Sequence, residues 1–272
     1  MVWIKWSPQE EGKLRKIHKH LSEVEIARMF GRTEYSVHTK LNRMGLKKTQ
    51  KRRSEKTKQK ISEKKMIYPK QSFSGNDEKR AYIYGFWLGD LTSRRDGNQI
   101  RVSATSTKQD FVDVFTGLFS KYGRVHIFNA ADKWNVKTNK MYALLDESFD
   151  FLIGEKKIRK WIKGDLLWPF FAGFFDAEGY VQMLDRDPEI GGNYGLFVYQ
   201  SDKPMLCSIG VMLKDNGIQS KIHISSRRRK RIGYRLAIYG KNSDELARRI
   251  LPYSKLKKAN LEEYCRLRIT GM

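Results

Sequence analysis

Residues 171–179 read FAGFFDAEG, and residues 83–91 read IYGFWLGDL. Each stretch is apolar for most of two helical turns. Each carries Gly at its third position, a small residue at its seventh, and a carboxylate at its eighth, where the apolar run stops. Asp90 and Glu178 lie 88 residues apart, which points to a duplicated unit. Gly85 and Gly89 share one helix face, as do Gly173 and Ala177. Small residues at that spacing let two helix backbones approach closely. Packing the helices along these faces brings Asp90 and Glu178 out side by side at one end. Their charges repel there, the helix dipoles add partial negative charge, and a divalent cation should be recruited. Two ordinary core helices with terminal acids would not be expected to agree at both the small and the acidic positions.

The rest of the chain is strongly basic. Its 272 residues hold 54 Lys+Arg against 30 Asp+Glu, a formal net charge of +24, with 40% hydrophobic residues to build a core. Such a charge attracts polyanions, nucleic acid first and an anionic membrane surface second. The longest apolar run, Leu166 to Phe175, contains Pro169 and is about half what a membrane span needs. The opening MVWIKWSPQEE lacks the layout of a signal peptide, and Cys207 and Cys265 make neither a disulfide framework nor a zinc cluster. These features predict an intracellular, nucleic-acid-binding protein without structural zinc. The charge is front-loaded: residues 1–80 hold 22 Lys/Arg and 9 Asp/Glu. It peaks in Lys47–Lys65, KKTQKRRSEKTKQKISEKK, a segment too polar to bury itself and suited to tracking a phosphate backbone through Lys51, Arg52, Arg53 and their neighbours.

Ahead of that segment, Ser7-Pro8-Gln9-Glu10 is a capping box with Pro at the first helical position, and Ser22-Glu23-Val24-Glu25 is a second box. Gly31 ends the second helix and Thr33 starts a third, over which Val37, Leu41 and Met44 share a face. Three short helices with a tight Gly turn describe a helix-turn-helix. The outer face of the third offers Tyr35, Ser36, Thr39, Lys40 and Arg43, together with His38 and Asn42, to base edges and phosphates.

The paired motifs resemble the LAGLIDADG motif of homing endonucleases in its monomeric, two-motif form. FAGFFDAEG is close to the family pattern; IYGFWLGDL departs from it at Leu88, where an acid is frequent, and at Leu91, where Gly is frequent. The resemblance covers roughly residues 81–270. Residues 3–48 resemble the small helix-turn-helix modules found beside regulators and mobile-element nucleases, and Ser54–Lys65 resembles short nuclease-associated DNA-binding modules. The fold class expected is α+β: a duplicated αββαββα LAGLIDADG saddle with pseudo-twofold symmetry, preceded by a small all-α helix-turn-helix domain. The expected divisions are 1–46 for that module, 47–80 for a basic linker or arm, 81–164 for the first half and 165–272 for the second. Strands are expected at 99–105, 124–128, 140–145, 180–184, 194–200, 219–225 and 234–239. Helices are expected at 108–122, 203–216, 243–251 and 256–267.

The resemblance implies a site-specific endonuclease acting on double-stranded DNA as a monomer, with Mg²⁺ as its cofactor and Mn²⁺ as a substitute. Asp90 and Glu178 would hold the metal, helped by the main-chain carbonyls of Gly89 and Ala177. Gln200 would order active-site water, with Thr105 as its first-half counterpart. Lys257 would sit near the phosphate, with Lys157 as its first-half equivalent and Lys156 nearly as good a candidate. One open sheet face would meet DNA through Arg101, Ser103, Thr105, Arg124, His126, Gln182, Lys221, His223, Ser225 and Arg235. The tip carrying Arg227, Arg228 and Arg229 would hold phosphates. Competing readings are a non-cleaving relative, either an RNA maturase that binds an intron RNA or a DNA-binding regulator, and a transcription factor with a ligand-binding domain. An apolar pocket would mark the last, and the sequence shows convergent basic groups instead.

Overall fold

A computed structural model of the chain describes residues 5–46, 69–131, 137–183, 194–228 and 231–269. The chain divides into two compact units at 67/68. The first contains α1 (Pro8–Ile17), α2 (Glu23–Phe30) and α3 (Glu34–Arg43). Both predicted capping boxes form, with Ser7 and Glu10 bonded reciprocally at the start of α1 and Ser22 and Glu25 at the start of α2. Gly31 adopts φ 62°, a left-handed turn that a side chain would resist, and Thr33 caps α3. Leu14, Ile26, Ala27, Val37 and Leu41 form the small core, with Trp6, Phe30 and Met44 packed around it.

The second unit begins earlier than the sequence reading placed it. Gln71 N–H donates to the Tyr122 carbonyl at 2.9 Å, the Phe73 ring packs against Tyr122, Phe149 and Phe151, and Asn76 caps the next helix. Residues 69–80 therefore belong to this core and not to a linker. The helix they lead into is α4 (Asp77–Gly89), followed by β1 (Thr92–Arg95), β2 (Ile100–Ser106), α5 (Gln109–Phe119), β3 (Val125–Ala131) and β4 (Lys137–Leu145). The second half supplies α6 (Leu167–Glu178), β5 (Gly179–Gln182), β6 (Gly195–Gln200), α7 (Lys203–Asp215), β7 (Lys221–Arg228), β8 (Arg231–Tyr239), α8 (Gly240–Ile250) and α9 (Lys258–Ile269). The strands form two antiparallel sheets in equivalent orders, β1-β2-β4-β3 and β5-β6-β8-β7.

Helix α4 is buried from Ala81 to Leu88 and α6 from Leu167 to Asp176, and the two carry the motifs. A Cβ on Gly85 would collide with the Phe170 carbonyl and lie 2.9 Å from Phe174 N; one on Gly173 would collide with the Tyr82 carbonyl and lie 2.9 Å from Phe86 N. Shifting either contact by the motif spacing of 88 residues gives the other, so the pseudo-twofold is visible atom by atom at the helix crossing. Around it the core is aromatic: Tyr84, Phe86, Trp87, Phe170, Phe171, Phe174 and Phe175 are all sealed from solvent. Each contributes about 1.5–3 kcal/mol of burial.

Two features depart from the sequence reading. Strand β1 is a short polar segment, TSRR, with no alternation to reveal it. The first half closes on a 3₁₀ helix, Glu147–Leu152, where the duplicated pattern called for an α-helix; in the second half α8 occupies that place.

Candidate active site

The close helix crossing brings the two acids together. Gly89 faces Ala177 and the Glu178 side chain so tightly that a Cβ there would strike the Ala177 methyl. Asp90 caps α4 and Glu178 ends α6, so both carboxylates stand at the negative ends of helix dipoles. Burial pushes the Glu178 carboxyl up to about 7, with Asp90 adding repulsion and Lys156 and Gln200 opposing. The Asp90 carboxyl is also raised by burial, against the pull of Lys156, Lys257 and Lys108. Gln200 donates from Nε2 to Glu178 Oε1 at 3.1 Å, while its own carbonyl accepts from Ser201 N–H at 2.8 Å.

Lysines close the site from two directions. Lys156 donates from Nζ to the Leu88 and Gly89 carbonyls, each at 3.1 Å. Lys157, the residue favoured from sequence, turns away and pairs with Glu155 at 3.0 Å on the surface. The reason is local: Tyr84 Oη donates to the Lys157 carbonyl at 2.6 Å and is itself held by Arg159 Nε at 3.1 Å, which orients this segment so that its neighbour reaches the acids. Lys257 and Lys108 line a recess of about 370 Å³ beside Asp90, with Thr105, Ser106 and Ala177. Burial and Lys108 lower the Lys257 ammonium, against Asp176 and Asp90.

Asp176 was not singled out from sequence. It is fully buried and accepts hydrogen bonds from Tyr82 Oη (2.6 Å), Ser254 Oγ (2.5 Å) and the main-chain N–H groups of Lys255 (2.6 Å), Leu256 (3.1 Å) and Lys257 (2.9 Å). It therefore pins the segment that delivers Lys257. The signal available was its place in FAGFFDAEG, where the first motif has only Leu88.

The strand register corrects one pairing. Thr92 faces Ser103 and Tyr180 faces Phe197, so the first-half counterpart of Gln200 is Ser106, and Thr105 corresponds to Tyr199. Thr105 instead shares the sheet face of Arg101 and Ser103. Cross-strand pairing adds His126, Phe128, Lys140 and Tyr142 to that face. The Arg101 guanidinium lies 3.8 Å over the Tyr142 ring, and His126 stacks on the same ring at 4.5 Å. Arg124 lies exposed just before β3. In the second sheet Gln182, Tyr180, Phe197, Tyr199, Arg235, His223 and Lys221 share the equivalent face, with Arg235 stacked over Phe197 at 5.0 Å. Ser225 sits in a β-bulge between Ile224 and Ser226. The aromatic platforms Tyr142 and Phe197 escaped the sequence reading, which sought only donors and acceptors.

In the first unit Tyr35 and Arg43 are exposed on α3, and Ser36 and Thr39 are half-buried there. Lys40 does not face outward with them: its ammonium is drawn back onto Glu11 of α1 and is mostly covered. Lys51, Arg52 and Arg53, and the side chains of Arg227, Arg228 and Arg229, lie outside the described residues.

Two four-stranded antiparallel sheets carried on a glycine-packed helix pair, with an acid ending each helix, define a duplicated LAGLIDADG fold. Residues 166–250 match the LAGLIDADG-like domain. The chain is similar in structure to the homing endonuclease I-WcaI bound to its DNA recognition sequence, at 15% identity over 72% of this chain and 91% of that one, TM-score 0.51. It is also similar to I-DmoI in complex with DNA and Ca (19% identity, 69% and 98% covered, TM-score 0.48) and to the N-terminal LAGLIDADG domain of DUF199/WhiA (17%, 65% and 83%, TM-score 0.46). No curated protein sequence matches the chain. Among the described residues, no helix is long and apolar enough to cross a membrane.

Proposed function

We propose that this protein is a site-specific DNA endonuclease that breaks both strands of a duplex in a metal-dependent reaction. The observation that carries the reading is the pairing of Asp90 and Glu178 at the ends of two symmetry-related helices, flanked by Lys156, Lys257 and Gln200. The residues suit a hard divalent cation such as Mg²⁺. The donor set is all oxygen, from two carboxylates and the Gly89 and Ala177 carbonyls, and burial together with repulsion from Asp90 raises the Glu178 carboxyl, a cost that a bound cation would relieve. When bound, such an ion lowers the pKa of a water and stabilises charge on a phosphate.

The chain's own groups do the remainder. Gln200 fixes one Glu178 oxygen through its amide. Lys257 and Lys108 bring positive charge to the recess beside Asp90, where a backbone phosphate can enter. The Arg101–Tyr142 stack holds a planar guanidinium on the open face of the first sheet, suited to a guanine edge in a major groove, and Arg235 lies half-buried over the covered Phe197 ring on the equivalent face of the second. The first unit presents Tyr35, Thr39 and Arg43 as a helix-turn-helix would, and the basic segment after it adds phosphate contacts.

A cleavage-site selection on randomised duplex DNA with Mg²⁺ tests this. The wild-type chain is expected to enrich one long site and cut both strands. Asp90→Asn and Glu178→Gln are expected to lose double-strand cutting. Undiminished cutting by either variant overturns the assignment; specific binding with no cutting by the wild type favours a non-cleaving DNA-binding regulator.

A further inference from the structure

Lys156 has a seat that the endonuclease reading leaves unexplained. A lysine beside a phosphate should point outward into the cleft. Instead its ammonium spends two of its three donors on the Leu88 and Gly89 carbonyls, at the last turn of α4. The Trp87 ring lies 5.7 Å away, and both Glu178 and Asp90 are within electrostatic reach. This is where a cation is needed most. The final carbonyls of a helix have no intrahelical partner, the dipole is negative there, and two carboxylates add their charges.

The other half is built differently. Lys257 is fixed through its main-chain N–H on Asp176, and its charge faces Lys108 and Asp90 across the recess. Only the first half sets a side-chain cation on the carbonyl next to a motif acid, among the described residues.

We propose that Lys156 is a built-in counter-cation: its ammonium holds the Gly89 carbonyl and offsets Asp90 and Glu178 in the metal-free protein, and a divalent ion must displace it from that carbonyl to bind. The inference rests on the reading of Asp90 and Glu178 as metal ligands. It has two consequences of opposite sign. Removing the ammonium exposes the metal-free protein to repulsion between the acids, which lowers its Tm. It also removes a competitor, which tightens divalent binding. A lysine that only packs against Trp87 gives the first effect without the second.

The test uses the full chain without DNA, at mildly alkaline pH, titrated with Mn²⁺ and followed by the electron paramagnetic resonance of the free ion. Tm is recorded with and without the ion. Lys156→Met keeps the aliphatic stem; it is expected to bind Mn²⁺ about tenfold more tightly than wild type, the scale of one removed charge near a partly buried site. Its Tm should be lower than wild type without Mn²⁺ and should rise more on addition, because binding to the native state alone stabilises it. Lys156→Gln, which retains a donor but no charge, should follow the same direction and covers the case in which the Met variant fails to fold. Lys156→Arg should stay close to wild type. Asp90→Asn separates the two layers. If it binds Mn²⁺ as wild type does, the metal-ligand reading is wrong. If it loses binding while Lys156→Met and Lys156→Gln bind no more tightly than wild type, the counter-cation proposal is overturned and the metal site stands.

Discussion

At the scale of single residues, Asp176 and Glu178 differ although they are two positions apart on one helix. Asp176 faces inward, where five donors surround it. Asp176→Ala would leave two hydroxyls and three main-chain N–H groups without that acceptor. The expected cost is about 3 kcal/mol, measured by chemical denaturation. Because the segment it pins carries Lys257, the same variant should slow cleavage of one strand more than the other, read as nicked intermediate on a labelled duplex. Glu178 behaves in the opposite way. Its carboxyl is raised to about 7, so the folded state binds its proton more tightly than the unfolded chain does. Protonated Glu178 therefore costs the metal-free fold little at low pH. Stability should fall as pH rises from the ordinary glutamate value through about 7, and level off above that. Glu178→Gln should flatten that slope in a series of metal-free melts; a slope unchanged by the substitution would place the titrating group elsewhere. The acids themselves were legible in sequence because a motif position determines them. The choice between Lys156 and Lys157 was not. It depends on a Tyr84 hydroxyl that grips one carbonyl in a segment with no periodicity.

At the scale of elements, the crossing of α4 and α6 was readable because small residues at fixed spacing have one physical use in a buried helix pair. It also gives the sharpest expectation about packing. Gly85→Ala or Gly173→Ala would force a methyl into the opposite helix's carbonyl, so the backbones must separate. Overpacking of this kind costs about 1–3 kcal/mol, and here the obstacle is main chain that cannot rotate away, which puts the loss at the upper end of that range or above. The acids would also part, so metal binding should weaken with stability. Gly117 is the control. It lies in α5 with nothing within 4 Å of a built Cβ, so Gly117→Ala should stabilise by about 0.5–1 kcal/mol on helix propensity alone. Equal Tm losses at Gly117 and Gly85 would show that helix propensity, and not the crossing, governs both. The less legible elements share one cause. Strand β1 is held by pairing with β2 and by no apolar alternation of its own, and the 3₁₀ helix at Glu147–Leu152 buries Phe149, Phe151 and Leu152 on a spacing that also suits an α-helix. Packing partners decide both, the neighbouring strand β2 for β1 and the Phe73, Phe119 and Tyr122 rings for the 3₁₀ helix, and an apolar pattern within the segment does not carry that information.

At the scale of the whole molecule, the +24 charge is distributed between two units that fold around separate cores. Charge alone could not mark where one ends, and reading the basic tract as running to residue 80 missed Phe73 and the Asn76 cap, which belong to the second core. A truncation that tests the division must therefore cut at 67/68. Removing residues 1–67 leaves the helix crossing, both sheets and the paired acids intact, so the remaining chain should unfold cooperatively with nearly the same Tm. A cut at 80 should destabilise it by the loss of the Asn76 cap, about 1 kcal/mol, and of the Phe73 burial. DNA affinity should respond differently. Each phosphate contact made by the missing basic groups releases counterions, and its loss should make the slope of log K against log salt shallower by about 0.9. The 1–67 deletion is expected to weaken binding at low salt by orders of magnitude, to narrow that difference as salt rises, and to leave the position of the cut within the selected site unchanged. A deletion that preserved the slope would mean that the first unit contributes no phosphate contacts; one that moved the cut would mean that it sets the register that Arg101 is proposed to read.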